Sequence, residues 1–129
     1  MERAVARYRE SDVTTASPGE VLIKLLDHAR RNTQLAIKAV DERRLADKGV
    51  AIGKALAILG ELSSSFDEAK APEVAVSVRV LYQFIRDKLL EGTSALTVEP
   101  LNDALRIIEH LRETWVQAVL KARSEGAAV

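Results

Sequence analysis

The stretch SPGEVLIKLLDHARRNTQLAIKAV, residues 17–40, decides the fold. Ser17 can cap a helix, Pro18 sits where its missing N–H costs nothing, and Glu20 completes a capping box. The stretch therefore predicts an amphipathic helix that starts at this cap, because apolar or small side chains recur behind it at helical spacing: Leu22, Leu25, Leu26, Ala29, Thr33, Ala36 and Val40.

Two more prolines indicate where later helices begin. Pro72 opens a third helix, and the sequence Gly92-Thr93-Ser94 is expected to break it. Thr97 is predicted to cap a fourth helix. Pro100 is tolerable in the first turn of that helix, because the N–H groups there have no helical partner.

The second helix has the least certain start. Apolar residues recur at helical spacing from Leu45 to Phe66, but residues 41–48 contain no strong stop signal. Four amphipathic helices with short connections favour antiparallel neighbours. The sequence thus predicts an all-α fold, an antiparallel up-down-up-down four-helix bundle. It forms a single domain over residues 17–125, preceded by a flexible N-terminal segment, residues 1–16.

Composition excludes several function classes. The 129 residues contain 19 basic and 19 acidic side chains and no cysteine. A balanced charge argues against binding to nucleic acid, and the absence of cysteine excludes thiolate chemistry. His28 and His110 each adjoin an acidic residue, so each pair points about 100° apart around its helix and cannot converge on a metal. We expect no enzyme activity, no cofactor, no metal site and no membrane insertion.

The third helix carries more apolar surface than a bundle helix ordinarily buries. One stripe contains Leu81 and Tyr82, and a second stripe contains Val76, Val80 and Phe84. Together the two stripes span about 240° of the helix. Either the second stripe lies under the N-terminal segment or is slightly exposed, or it forms part of a groove for another polypeptide.

The second helix has a row of glycines. Gly49, Gly53 and Gly60 fall within about 40° of one another on the helical wheel, beside Leu56. Each glycine costs about 1 kcal/mol relative to alanine, so a close contact is expected along this row. Either a neighbouring helix of the bundle packs against it, or the row forms a smooth trough that admits a partner helix.

Several motifs in the chain resemble those of the flagellar secretion chaperone family. The opening resembles that family's pattern of a tyrosine, then Val-x-Thr-Ala-Ser-Pro and Glu-Leu. Further motifs resemble the family's Leu-Tyr-Asp-Tyr-Ile and Leu-Arg-Glu-x-Trp. The matching residues are Tyr8, the run from Val13 to Pro18, the run from Leu81 to Ile85, and the run from Leu111 to Trp115.

This resemblance implies a cytoplasmic export chaperone. Such a protein binds the C-terminal segment of flagellin, prevents its premature polymerisation and delivers it to the flagellar type III export apparatus, whose gate components are a further implied partner. The expected flagellin groove is formed by Gly53, Leu56, Gly60, Val76, Val80 and Phe84. Tyr8 is expected to cover an apolar site in the free protein and to yield it to flagellin.

Other function classes stay open at this point. A non-enzymatic helical adaptor or oligomerising bundle with another partner would use the extra apolar stripe for association, and the chain is expected to be a monomer or a weak homodimer. A metal-dependent bundle enzyme would require bound metal. Binding of flagellin, a concentration-dependent dimer, and elemental analysis distinguish these three classes.

Overall fold

The computed structural model describes residues 17–70 and 72–126. Within these ranges the chain forms helices and no strands, which confirms the predicted all-α fold. A short 3-10 turn at Glu68–Lys70 precedes the third helix. The four helices are α1 (Pro18–Asp41), α2 (Leu45–Ser65), α3 (Pro72–Ser94) and α4 (Glu99–Ser124). The predicted flexible segment, residues 1–16, lies outside the described residues.

The four helices form a bundle in which each helix runs antiparallel to its neighbours. Helix α1 packs against α2 and α4, and α3 packs against the same two helices, so each helix has two neighbours among the described residues. Arg123 at the end of α4 pairs with Glu20 at the start of α1. The Nζ of Lys88, near the end of α3, lies 3.7 Å from the Oδ2 of Asp103, near the start of α4. These cross-connections confirm the predicted up-down-up-down order.

One apolar core lies between the four helices. Each helix contributes at least one large side chain with almost no exposed surface, namely Leu26, Ile52, Ile85 and Ile108. Trp115 of α4 is half-buried and packs on this core, and its ring meets Phe66 edge-on with centroids 6.4 Å apart. In the described part of the chain, no helix is long and apolar enough to cross a membrane.

The first helix begins where the sequence predicted. Ser17 has an extended backbone, and its hydroxyl accepts a hydrogen bond from the Glu20 N–H at 3.3 Å. Pro18 occupies the first turn. The Glu20 carboxylate pairs with Arg123, so it ties the start of α1 to the end of α4.

The turn between α1 and α2 depends on a left-handed residue that the sequence did not reveal. Arg43 has φ of 58°. Its N–H donates to the Val40 carbonyl at 3.0 Å, and the Arg44 N–H donates to the Ala39 carbonyl at 2.7 Å. This pair of bonds is a Schellman motif, in which glycine usually holds the left-handed position. An arginine there gives no stop signal, so residues 41–48 do not mark the end of α1 in the sequence.

One predicted boundary of the later helices was wrong. Thr97 does not cap α4, because Val98 holds the capping position with a helical backbone and makes no side-chain cap. Helix α3 ends at Ser94, within the triplet predicted to break it, although Gly92 itself is still helical. Gly92 is buried within the last turns of α3, where its missing side chain makes room for Leu101 of α4.

A buried lysine fastens α2 to the end of α3. Lys48 is 4% exposed, and its Nζ donates to the Ala95 carbonyl at 3.0 Å. Ala95 directly follows α3, so the ammonium group lies at the negative end of that helix and is favoured there. The contact joins the α1–α2 connection to the α3–α4 connection at one end of the bundle.

Relief of the left-handed strain at Arg43 should stabilise the protein. Arg43→Gly is expected to raise the free energy of unfolding by about 1 kcal/mol, because a side chain at this φ costs about that much. Arg43→Ala removes the same side chain and keeps the strain, so it is the matched control. Urea unfolding measures both variants, and equal stabilities for the two would contradict this account.

Two of the helical glycines, Gly49 and Gly92, should differ in their response to alanine. A Cβ at Gly49 would meet nothing within 4 Å, whereas a Cβ at Gly92 would lie 2.6 Å from Leu101 Cδ2. Gly49→Ala should therefore raise the free energy of unfolding by about 1 kcal/mol. Gly92→Ala should be less stable than Gly49→Ala by about 1–3 kcal/mol because it overpacks the core. Thermal unfolding of the pair checks the difference, and equal shifts would refute it.

Candidate functional site

A cleft of about 290 Å³ lies between the end of α2 and the first half of α3. Its lining combines apolar side chains with arginine, glutamine, serine and glutamate. The lining residues are Leu59, Gly60, Ser63, Phe66, Glu68, Val78, Arg79, Tyr82, Gln83 and Arg86. We call this feature the α2–α3 cleft.

Tyr82 is the most buried polar side chain of the α2–α3 cleft. It is 5% exposed, and its hydroxyl has no hydrogen-bond partner among the described residues. Burial raises the pKa of the Tyr82 hydroxyl to about 12. A buried hydroxyl without a partner costs about 1–3 kcal/mol, so residues 17–70 and 72–126 leave the Tyr82 hydroxyl in need of a hydrogen-bond acceptor.

The other polar side chains of the cleft differ in whether they have partners. Arg79 is paired with Glu68 across the cleft lining. The Gln83 Nε2 donates a hydrogen bond to Asp87 Oδ1 at 2.8 Å, so the side-chain amide of Gln83 already has a partner. Arg86 is exposed and forms no ion pair within residues 17–70 and 72–126. The cleft therefore offers one uncompensated positive charge.

A second candidate surface lies on the outer side of α3. Val76 and Val80 are each 62% exposed. Val80 projects about 160° around the helix from Tyr82, so it points away from the core side of α3. We call Val76 and Val80 the valine face. Exposed valines in successive turns of one helix are an apolar contact surface for a partner.

Phe84 continues the valine face toward α4, but its ring is partly occupied. It is half-buried, and the Lys88 Nζ lies 5.6 Å from the centre of the ring. The Lys88 Nζ also lies 3.3 Å from Glu91 Oε2 and 3.7 Å from Asp103 Oδ2 of α4. The ammonium group is therefore held over the ring by carboxylates on two helices.

The α2 residues of the predicted groove lie in different surroundings. Gly60 is exposed and lines the cleft, and a Cβ there would meet nothing within 4 Å. Gly49 is equally open, so no neighbouring helix packs tightly against either glycine. Gly53 is half-buried, and Leu56 is half-buried against the core. Of these residues, only Gly60 borders the cleft.

The six predicted groove residues are thus not gathered into one cleft. Gly60 lies in the α2–α3 cleft, while Val76 and Val80 lie on the outer face of α3. Tyr8, the predicted cap, lies outside the described residues and stays a prediction. The sequence analysis missed Arg86 and the cleft role of Tyr82. The sequence pattern that could have pointed to both residues is a row of polar side chains at helical spacing on α3: Arg79, Tyr82, Gln83 and Arg86.

Neither histidine is among the residues that line the α2–α3 cleft. His28 is half-buried on α1, and His110 is exposed on α4. In residues 17–70 and 72–126, no three histidine or acidic side chains are grouped closely enough to hold a metal ion.

Comparison with known proteins identifies the family. The model of the family described as "Flagellar protein FliS" matches residues 1–122. The chain belongs to the FliS family. Membership of this family accounts for both the four helices and the motifs that resemble those of the flagellar secretion chaperones. Membership of this family implies that the chain is not an enzyme.

Individual FliS relatives are distant in sequence but extend along most of the chain. The flagellar secretion chaperone FliSB of Pseudomonas aeruginosa is 24% identical over 88% of this chain and 93% of its own. The flagellar secretion chaperone FliS of Salmonella typhimurium is 26% identical over 88% of this chain and 84% of its own. The flagellar secretion chaperone FliS of Bacillus subtilis is 23% identical over 92% of this chain and 87% of its own.

The buried Tyr82 hydroxyl should make FliS stability depend on alkaline pH. Its pKa is about 12 in the folded protein against 10.0 ordinarily. Between these values the unfolded chain loses the proton and the folded protein keeps it. The free energy of unfolding should therefore fall by about 1.4 kcal/mol per pH unit from this group alone.

Urea unfolding from about pH 9 upward tests this dependence. Other groups also titrate in this range, so the measured quantity is the difference between the parent and Tyr82→Phe. That variant should lose the slope due to Tyr82, while Tyr8→Phe, the matched control, should keep it. Identical slopes in the parent and Tyr82→Phe would show that the hydroxyl is not buried as described.

Proposed function

We propose that this protein is a cytoplasmic export chaperone for flagellin. It binds the C-terminal segment of flagellin, prevents premature polymerisation, and delivers the subunit to the flagellar type III export apparatus and its gate components. Membership of the FliS family supports this role. The structural observation that carries it is the valine face, Val76 and Val80, whose apolar side chains are each 62% exposed on α3.

The physical basis is coverage of apolar side chains. A segment that forms helical contacts in an assembled filament exposes apolar residues when it is free, and such a segment can order on a partner's surface. The valine face and one wall of the α2–α3 cleft both belong to α3, so a segment that passes around this helix can contact both. Ordering of the segment consumes part of the binding energy, which leaves a complex that can be released.

The same apolar surface supports the alternative of an oligomerising bundle. Exposed valines on one copy could pack against those on another, and a dimer would then form without flagellin. Sedimentation velocity distinguishes the two functions. A chaperone is expected to remain a monomer or weak homodimer and to bind a synthetic flagellin C-terminal segment, whereas an oligomerising bundle dimerises with concentration and ignores the segment.

A charge on the valine face should weaken flagellin binding. Val80→Asp is expected to raise the Kd for the flagellin segment about tenfold or more, because burial of a valine contributes about 1.5 kcal/mol or more. The fold should persist, since Val80 is largely exposed. Isothermal titration measures the Kd.

Val50→Asp is the matched control for this experiment. Val50 is 57% exposed on α2, so the same substitution places an equal charge on an equally exposed valine elsewhere. It should leave the Kd unchanged. Equal Kd values for Val80→Asp and the parent would remove the valine face from the binding surface.

A further inference from the structure

On α3, two hydrogen-bond donors of the α2–α3 cleft have no acceptor among the described residues. One is the buried Tyr82 hydroxyl, and the other is the exposed Arg86 guanidinium at the same cleft. The two side chains are four residues apart on α3, so they project within about 40° of each other and lie one turn apart. A single ligand group can therefore meet both.

The other polar side chains of the cleft narrow the chemistry of that ligand. Arg79 neutralises Glu68, and the Gln83 amide is bonded to Asp87. What remains open is the exposed Ser63 hydroxyl of α2 and the two donors of α3, with one net positive charge at Arg86. A carboxylate matches this demand, because it accepts hydrogen bonds at both oxygens and compensates a guanidinium. A backbone carbonyl would satisfy Tyr82 and leave the charge of Arg86 uncompensated.

The walls of the cleft suit a carboxylate that belongs to a polypeptide. Leu59, Phe66 and Val78 provide apolar contact beside the two donors, as a peptide side chain or chain end requires. The Arg79–Glu68 pair lies between exposed side chains, and such pairs hold a surface only weakly. The Tyr82 hydroxyl is buried, so a ligand reaches it only when the cleft lining shifts, and a weak exposed pair opposes such a shift little.

We propose that the α2–α3 cleft binds a carboxylate of the segment that the chaperone carries, with Tyr82 and Arg86 as its donors. The carboxylate is that of an acidic side chain or of the C-terminus. This inference rests on the proposed function, because it assigns one anchoring point to the bound flagellin segment. The valine face supplies apolar contact, and the cleft fixes the register of the segment along α3.

Binding of a fluorescent flagellin C-terminal segment to the full chain tests the proposal. Tyr82→Phe removes only the hydroxyl, and Arg86→Gln removes only the charge. Each variant should raise the Kd about 3- to 10-fold, as expected for loss of one hydrogen bond to a charged or polar group. Arg31→Gln is the matched control, because Arg31 is exposed on α1, which does not contact α3. It should leave the Kd unchanged.

Stability measurements separate binding from a structural role of Tyr82. Removal of an orphaned hydroxyl should leave the melting temperature of Tyr82→Phe equal to or above that of the parent. A lower affinity together with an undiminished melting temperature is therefore the expected signature. A reduced melting temperature would show that the hydroxyl has a partner within the free protein and would overturn the proposal.

Two modified probes identify the source of the carboxylate. One probe has an amidated C-terminus, and the other has asparagine and glutamine in place of its acidic side chains. The probe that lacks the true ligand should bind the parent more weakly and should no longer respond to Arg86→Gln. If both probes bind as tightly as the unmodified segment, the acceptor is not a carboxylate and the proposal is wrong.

The outcomes also distinguish this inference from the proposed function. A segment that binds the parent, Tyr82→Phe and Arg86→Gln with equal Kd overturns the anchoring site and leaves the chaperone function in place. A segment that does not bind the parent at all overturns both.

Discussion

Burial of one large apolar side chain from each helix is the constraint on which the rest of this structure depends. Leu26, Ile52, Ile85 and Ile108 are at most 1% exposed, and their burial requires all four helices at once. Since each helix contacts only two neighbours, each keeps an outer face that the core does not use. On α3 that outer face carries valines, and its flank facing α2 carries Tyr82 and arginines.

Much of the fold was predictable because local signals and helical periodicity agree. Ser17, Pro18 and Glu20 define the start of α1 from sequence alone, and the apolar arcs of all four helices lie on the core. The features that were missed have specific physical causes. Arg43 holds a backbone conformation that usually needs glycine, and Gly92 lies at a close helix–helix approach that the sequence alone does not distinguish from a helix end.

The candidate site was less predictable than the fold. A helical wheel shows that α3 has surplus apolar surface, and the exposure of Val76 and Val80 agrees with that pattern. The wheel cannot show which flank of α3 faces α2. The sequence therefore grouped Gly60 with the valines, although Gly60 lies in the cleft beside Tyr82. Pairing of Arg79 and Gln83, which leaves Arg86 without a described partner, also depends on tertiary contacts.

The buried Lys48 makes the two ends of the bundle unequal. Its bond to the Ala95 carbonyl joins α2 to α3 where α2 begins and α3 ends, and the cleft lies between the end of α2 and the middle of α3. Two helices that are held together at one end separate most easily at the other. Backbone amides early in α3 should therefore exchange with solvent deuterium sooner than those near Leu89, and the two donors Tyr82 and Arg86 lie between these regions.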